Sequence, residues 1–249
     1  MRKYLIALCC LIVLFIISSC KKDEGQGKSD SNSIAISKKI VEKTVEKTQE
    51  NNLQPILLEL PRPIFVGTPQ NIRVPNLQKP AEEPRPPFMA PEGTVNVALN
   101  KPVSSSSQLI IIGELDMVTD GDKRGAEGSY IELAPFLNHI TIDLKKKCEI
   151  FAIVMWHYHK QARVYKDVVV HLSNDPDFII DVTTIFNNDH NNSAGLGVGD
   201  DMHYVETFEG KLINAKGYKA RYVRLYSNGN TSNDLNNYVE VEVYGRIIE

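Results

Sequence analysis

Cysteine is scarce in this 249-residue chain: there are four, and Cys9, Cys10 and Cys20 fall within the first twenty residues. Cys148 alone lies beyond them, so most of the chain has no thiol pair for an internal disulfide and any core rests on apolar burial. Nothing marks Cys148 as a nucleophile, and it reads as a half-buried structural thiol. A basic surplus is missing too. Residues 96–249 carry 15 basic and 21 acidic side chains, a balance of −6. A phosphate-tracking surface needs clustered Lys and Arg, so nucleic acid is excluded as an expected partner. Aromatics are nearly absent from residues 20–95, where only Phe65 and Phe88 occur, whereas 96–249 holds nine of the ten tyrosines and the single Trp156. The chain has no G-x-S-x-G elbow, no H-E-x-x-H pair and no P-loop. Paired carboxylates of the kind that hydrolyse glycosides are not excluded by composition, since any sandwich has many.

What is present begins with Arg2 and Lys3, followed by an apolar run from Tyr4 to Ile17 that is too short for a comfortable membrane span. The run ends Ile17-Ser18-Ser19-Cys20. Small residues before a cysteine at this point resemble the lipobox of bacterial lipoproteins. The resemblance implies a signal peptide over residues 1–19, thioether lipidation of Cys20, and a lipid anchor that holds the mature protein to a membrane. An uncleaved anchor or an ordinary secretory signal is the alternative. Lys21 rather than aspartate follows the anchor, which in enterobacteria goes with sorting to the outer membrane. The expected location is the bacterial cell envelope, at the outer membrane or cell surface.

Residues 20–54 read as a polar, charged tether, in which Ile40, Val41 and Val45 mark a short charged helix over 37–50, or a short coiled-coil seam with too few turns to be stable. Ten of the 13 prolines lie between Pro55 and Pro91. Proline fixes φ and removes an amide donor, so 55–94 reads as an extended, fairly stiff linker. Ile56 to Leu60 and Ile64 to Val66 are apolar enough to lie along the next domain; a free stalk and a surface-packed strap both remain open.

Residues 95–249 change texture, to short apolar runs separated by Gly, Asn, Asp and Ser. Candidate strands are Ile140–Leu144, Ile150–His159, Val164–Ser173, Val182–Asn187, His203–Thr207, Ala220–Ser227 and Tyr238–Gly245. Period-two alternation puts Val223 and Leu225 on one face of their strand, and sets the valines of 239–243 opposite Glu240 and Glu242. Many short strands with turn signals and no long helical period argue for an all-β antiparallel sandwich.

The order of motifs carries a resemblance. Asn96-Val97-Ala98-Leu99-Asn100-Lys101-Pro102-Val103-Ser104-Ser105-Ser106-Ser107 resembles the opening frame of discoidin domains, the coagulation factor five/eight type C group of the galactose-binding-like superfamily. Val118-Thr119-Asp120-Gly121-Asp122, Ile142-Asp143-Leu144, Tyr165-Lys166-Asp167-Val168-Val169-Val170 with Ser173-Asn174-Asp175, Ala220-Arg221-Tyr222-Val223-Arg224 and Glu240-Val241-Glu242-Val243-Tyr244-Gly245 follow in the family's order. The chain lacks the terminal cysteine pair of vertebrate members and is more similar to bacterial family 32 carbohydrate-binding modules. The resemblance implies an eight-stranded jelly roll that binds a glycan or glycoconjugate through loops at one end, without catalysis. A protein partner in the cell envelope, held by the same loops, is the rival expectation.

The resemblance also implies a structural Ca²⁺, held by Asp120, Asp122 and Glu240 with carbonyls near Val118 or Gly128; hard cations favour such oxygen donors. An ordinary Asp-Gly turn with Glu240 on a solvated face is the plain alternative. Trp156-His157-Tyr158-His159 ends a predicted strand. Two histidines at i, i+2 could begin a zinc site, yet no third ligand follows from the spacing, although His190 and His203 are available. A strand end with one buried aromatic and exposed histidines is the simpler expectation. For a sugar, an aromatic face stacks on the pyranose while fixed polar groups bond its hydroxyls. The expected contacts are Tyr158, His159 and Arg163 in the loop after this strand, and His190 and Asn233 in the amide-rich loops 187–193 and 228–237, whose Asn and Asp residues also make turns.

Overall fold

The computed structural model describes residues 52–63 and 72–248. The leader, Cys20, the 37–50 segment and Ile64–Val66 lie outside the described residues. Residues 52–249 form one compact unit. Its strands are β1 (Leu53–Pro55), β2 (Met89–Pro91), β3 (Val95–Asn96), β4 (Val103–Ser105), β5 (Ile110–Ile112), β6 (Ile131–Leu133), β7 (Leu137–Trp156), β8 (Val169–Ser173), β9 (Thr183–Asn187), β10 (Lys211–Asn228), β11 (Asn236–Tyr238) and β12 (Glu240–Ile247), with a short 3-10 helix at Leu115–Thr119. Every pairing between these strands is antiparallel.

The two long strands build the sandwich. β7 and β10 pair from Leu137↔Asn228 to Asp143↔Tyr222, then again from Cys148↔Ala220 to Met155↔Lys211, with register shifts between. At the break Lys145 takes a positive φ of 66°, and Lys216, at 52°, marks a separate bulge of β10 between Asn214 and Tyr218. Ile140, Ile142 and Leu144 from the first half of β7, and Cys148, Ile150, Ile153 and Met155 from the second, are buried in one cluster. A single strand lines both sides of that core only if it turns a corner, so each half belongs to a different layer. β8, β9 and β4 extend the layer of the first half, and β12 and β3 that of the second. β11, β6 and β5 form a separate small sheet. At the corner Arg221 donates from Nε and a terminal nitrogen to the two Asp143 oxygens, at 2.8 and 3.0 Å. Lys145 lies 3.0 Å from the same carboxylate, and these partners, Arg221 first, hold the Asp143 carboxyl well below its ordinary range. The architecture is the all-β antiparallel jelly-roll sandwich anticipated from the sequence. Cys148 is fully buried, and burial pushes its thiol up.

The described part of the Pro-rich segment packs on the sandwich. β1 pairs with β2, and Ile56 and Ala90 cover Ala152, Val154, Trp156, Val239 and Tyr244 on the outer face of the second layer. Prolines cannot supply a ladder, so few donors fasten this strap. The Ile56 amide reaches the Phe88 carbonyl at 2.9 Å, and the Gln78 amide reaches that of His203 at 2.7 Å. Arg85 donates to the carbonyls of Gly210 and Glu209, each at 2.7 Å.

Several expected elements differ. β7 ends at Trp156, so His157, Tyr158 and His159 start a loop. Residues 164–168 contribute only the Tyr165↔Asn230 bridge, and 203–207 only the bridge of His203 to Leu77, because both segments spend their backbone groups on loops and strap.

Trp156 is wholly buried beneath the strap and donates its indole N–H to the Phe208 carbonyl at 2.8 Å. A chain lacking residues 52–94 is therefore expected to show red-shifted Trp156 emission and a lower unfolding midpoint. Ile56→Ala alone should cost about 2 kcal/mol in denaturant titration, within the usual range for truncating a buried Ile.

Candidate functional site

Beyond Trp156 the chain enters a loop that is stitched to the 228–237 loop. The Thr231 amide donates to the Val164 carbonyl at 3.0 Å, and the Val164 amide returns to the Thr231 hydroxyl at 3.2 Å. This fastening brings Tyr158 and Arg163 together. The Arg163 guanidinium lies over the Tyr158 ring, 4.9 Å from its centroid, and the Tyr130 ring tilts against Tyr158 at 5.1 Å. Arg163 donates to the Asn237 side-chain oxygen at 3.3 Å and to that of Gln161 at 2.8 Å. Its Nε is buried without a partner among the described residues.

Asn237 organises this group from β11. Its side-chain oxygen also accepts from the Tyr165 hydroxyl at 3.0 Å, and its nitrogen donates to Glu132 Oε2 at 2.9 Å. Tyr130, Glu132, Gln161 and Asn237 thus join the two expected residues. Gln161 and Asn237 lie in loops already singled out, whereas Tyr130 and Glu132 carry no local sign, because β6 meets β11 across roughly a hundred residues of chain. The arrangement is an aromatic ring with a cation over it, bordered by amide and carboxylate groups that both donate and accept.

The other expected contacts sit elsewhere. His159 is 1% exposed, and its Nε2 lies 2.8 Å from the Lys123 carbonyl, so it braces the 120–125 turn from inside. The simpler expectation of exposed histidines is corrected for His157 as well. It is fully buried, stacked on Tyr165 at 4.1 Å, with Nδ1 3.3 Å from Glu206 Oε2. His190 is half-buried with its ring edge-on to His203 at 5.2 Å. Asn233 is exposed, but its side-chain oxygen accepts from Asn230 Nδ2 at 2.8 Å and from the Leu235 amide at 3.1 Å, a turn-making role. A groove of about 630 Å³ between strap residues 78–86 and residues 204–212 is distinct from the Tyr158–Arg163 group.

The residues implied for Ca²⁺ converge only in part. Glu240 is fully buried, not solvated, because the outer face of β12 is covered. One of its oxygens accepts the Gly121 amide at 3.1 Å, and the other has no partner among the described residues. Burial, above all, pushes its carboxyl up to about 9; Glu242 and Asp120 add to this, while the Gly121 hydrogen bond and Lys123 oppose it. Next to it, Lys123 Nζ sits 2.6 Å from Glu242 Oε1. Asp120 accepts the Asp122 amide at 2.7 Å, and the two Asp122 oxygens are held by the Arg124 side chain at 2.8 and 2.6 Å. Glu240 thus offers a free, buried, hard oxygen, whereas Asp122 is turned toward Arg124. Among the described residues no group of three or more His, Cys, Asp or Glu side chains is placed to hold a metal ion.

No family model and no curated protein matches the chain. Solved structures are similar to it. One is a family 89 glycoside hydrolase from Clostridium perfringens, at 20% identity and TM-score 0.45 over 61% of this chain and 15% of that one. The chain thus matches about 15% of that enzyme's length. Another is chitosan-binding module 1 of a chitosanase/glucanase from Paenibacillus sp. IK-5, at 20% identity and TM-score 0.42, covering 61% of this chain and 99% of the module. A fucose-binding module of Streptococcus pneumoniae gives 19% identity and TM-score 0.44, covering 61% and 96%. The structural neighbours of this chain therefore include carbohydrate-binding modules, the group that its order of motifs resembles.

Proposed function

We propose that this chain is a lipid-anchored protein of the bacterial cell envelope whose sandwich binds carbohydrate, without turnover, through Tyr158, Arg163 and the groups around them. The observation that carries the reading is the Arg163 guanidinium, placed over Tyr158 and held by two neutral amides, with a buried Nε unsatisfied among the described residues. A pyranose presents an apolar face and hydroxyls that both donate and accept, and this surface offers a counterpart to each.

A glycan array probed with residues 52–249 tests it. The expected result is a hit series sharing one terminal sugar. Arg163→Ala should weaken those hits by about ten- to a hundredfold, the loss typical of a hydrogen bond from a charged donor. A blank array from folded protein would turn the reading toward a protein partner at the same loops.

The anchor belongs to the same reading and is supported by the lipobox-like Ile17-Ser18-Ser19-Cys20. Cys20→Ser is expected to abolish incorporation of radiolabelled palmitate and to move the protein from the membrane fraction to the soluble one. Equal labelling of both forms would sink it.

Ca²⁺ at Glu240 is the third element. A cation beside the unpartnered Glu240 oxygen would offset the burial of its charge, and ligand that binds only the folded state raises stability by mass action. Asp122 would have to leave Arg124 to join. Added Ca²⁺ should raise the melting temperature of the native chain and leave Glu240→Gln unmoved. Equal responses would show that Glu240 is a buried acid and not a ligand.

A further inference from the structure

Phe136 lies between β6 and β7 at φ 69°. That left-handed region is sparsely open to residues with a Cβ and is an outlier for a bulky one, whereas glycine occupies it freely. The turn is nonetheless fixed from several sides. The Phe136 amide donates to the Asp234 carbonyl at 3.0 Å. Its carbonyl accepts from Asn236 Nδ2 at 2.7 Å and from Asn138 Nδ2 at 3.3 Å. Both amides are themselves tied: Asn138 Nδ2 reaches the Ala134 carbonyl at 3.0 Å, and the Asn236 oxygen accepts the Gly229 amide at 2.8 Å. Strain maintained by so many partners is found where geometry serves a purpose.

The ring does not serve the core, being 70% exposed. Leu109, 60% exposed, borders the same turn, with its carbonyl accepting the Ala134 amide at 3.3 Å. The two apolar side chains stand in water on a backbone that cannot easily move them. Glu132, at the start of the same turn, and Asp234, whose carbonyl the Phe136 amide meets, are acidic, which disfavours an anionic lipid surface. One loop joins this ledge to the candidate site: Asp234 and Asn236 hold Phe136, and the next residue, Asn237, holds Arg163.

We propose that Phe136, flanked by Leu109, is a stacking ledge for a second sugar ring, so that the Tyr158–Arg163 site takes an oligosaccharide and not a single sugar. The inference rests on the carbohydrate reading above. A rigid, exposed aromatic gives large contact area at little cost in side-chain entropy, which suits the flat apolar face of a pyranose.

The experiment uses the full chain in detergent micelles on an array of mono- to hexasaccharides of galactose, fucose, N-acetylglucosamine and uronic acids. The native chain is expected to prefer oligosaccharides over their terminal monosaccharide by about tenfold. Phe136→Ala should erase that preference and leave the monosaccharide signal unchanged. Phe136→Gly, which relieves the positive φ, should lose the same preference while raising the melting temperature, so a folding defect cannot account for the loss. If both variants keep the native preference while Arg163→Ala abolishes all binding, the ledge is refuted and the carbohydrate reading stands. A native chain that binds no sugar on the array overturns both.

Discussion

β7 and β10 stay paired, antiparallel, through both layers of the sandwich. Each strand runs through one layer, turns a corner and returns through the other, so the same pair supplies both walls of the core. Straight strands would leave one wall without a partner. At the bend Lys145 takes the left-handed conformation, and Asp143 between Arg221 and Lys145 closes the corner electrostatically. One consequence is positional. Trp156 and Asn228, the two exits from the pair, emerge at the same end, and the loops that follow them are the ones that fasten together through Val164 and Thr231.

A second consequence concerns the outer face of the second layer. An antiparallel sheet with one face in water should show polar residues there, and β12 presents Glu240 and Glu242. Both are buried, because the strap and the 120–125 turn close over them. Glu242 is satisfied by Lys123 and by the Tyr244 hydroxyl at 2.8 Å. Glu240 is left with one free oxygen and a carboxyl that favours its neutral form. An acid in that state is tolerated because it can keep its proton, and it is also the group that gains most from an added cation.

Legibility in the sequence follows from the range of the interactions involved. Period two correctly places Val223 and Leu225, and Val241 and Val243, toward the core, because strand alternation is local. That Tyr158 and Arg163 lie near one another was also legible, since five residues separate them in one loop. What alternation cannot show is what covers an outer face, so the burial of Glu240 and Glu242 required the strap. His157 and His159 had no local signal either: their partners, Glu206 and the Lys123 carbonyl, are dozens of residues away. The prolines announced an extended segment, but whether its apolar residues would find a surface depended on Trp156 and its neighbours being left uncovered by the sheet.

The Arg163 group owes its character to Asn237. A direct Arg163–Glu132 pair would neutralise both charges and fill their hydrogen-bonding positions. Asn237 stands between them, accepting from the guanidinium with its oxygen and donating to the carboxylate with its nitrogen. The amide cannot reverse without losing both bonds and the Tyr165 hydroxyl, so its orientation is fixed. The separation leaves Arg163 with a buried Nε that no group among the described residues satisfies, and Glu132 with a half-exposed carboxylate to accept. A surface of that kind does not select a purely anionic or purely cationic ligand. It suits neutral groups that donate and accept at once, held beside an aromatic ring, and hydroxyls on a sugar ring meet that description more fully than a phosphate or an ammonium does.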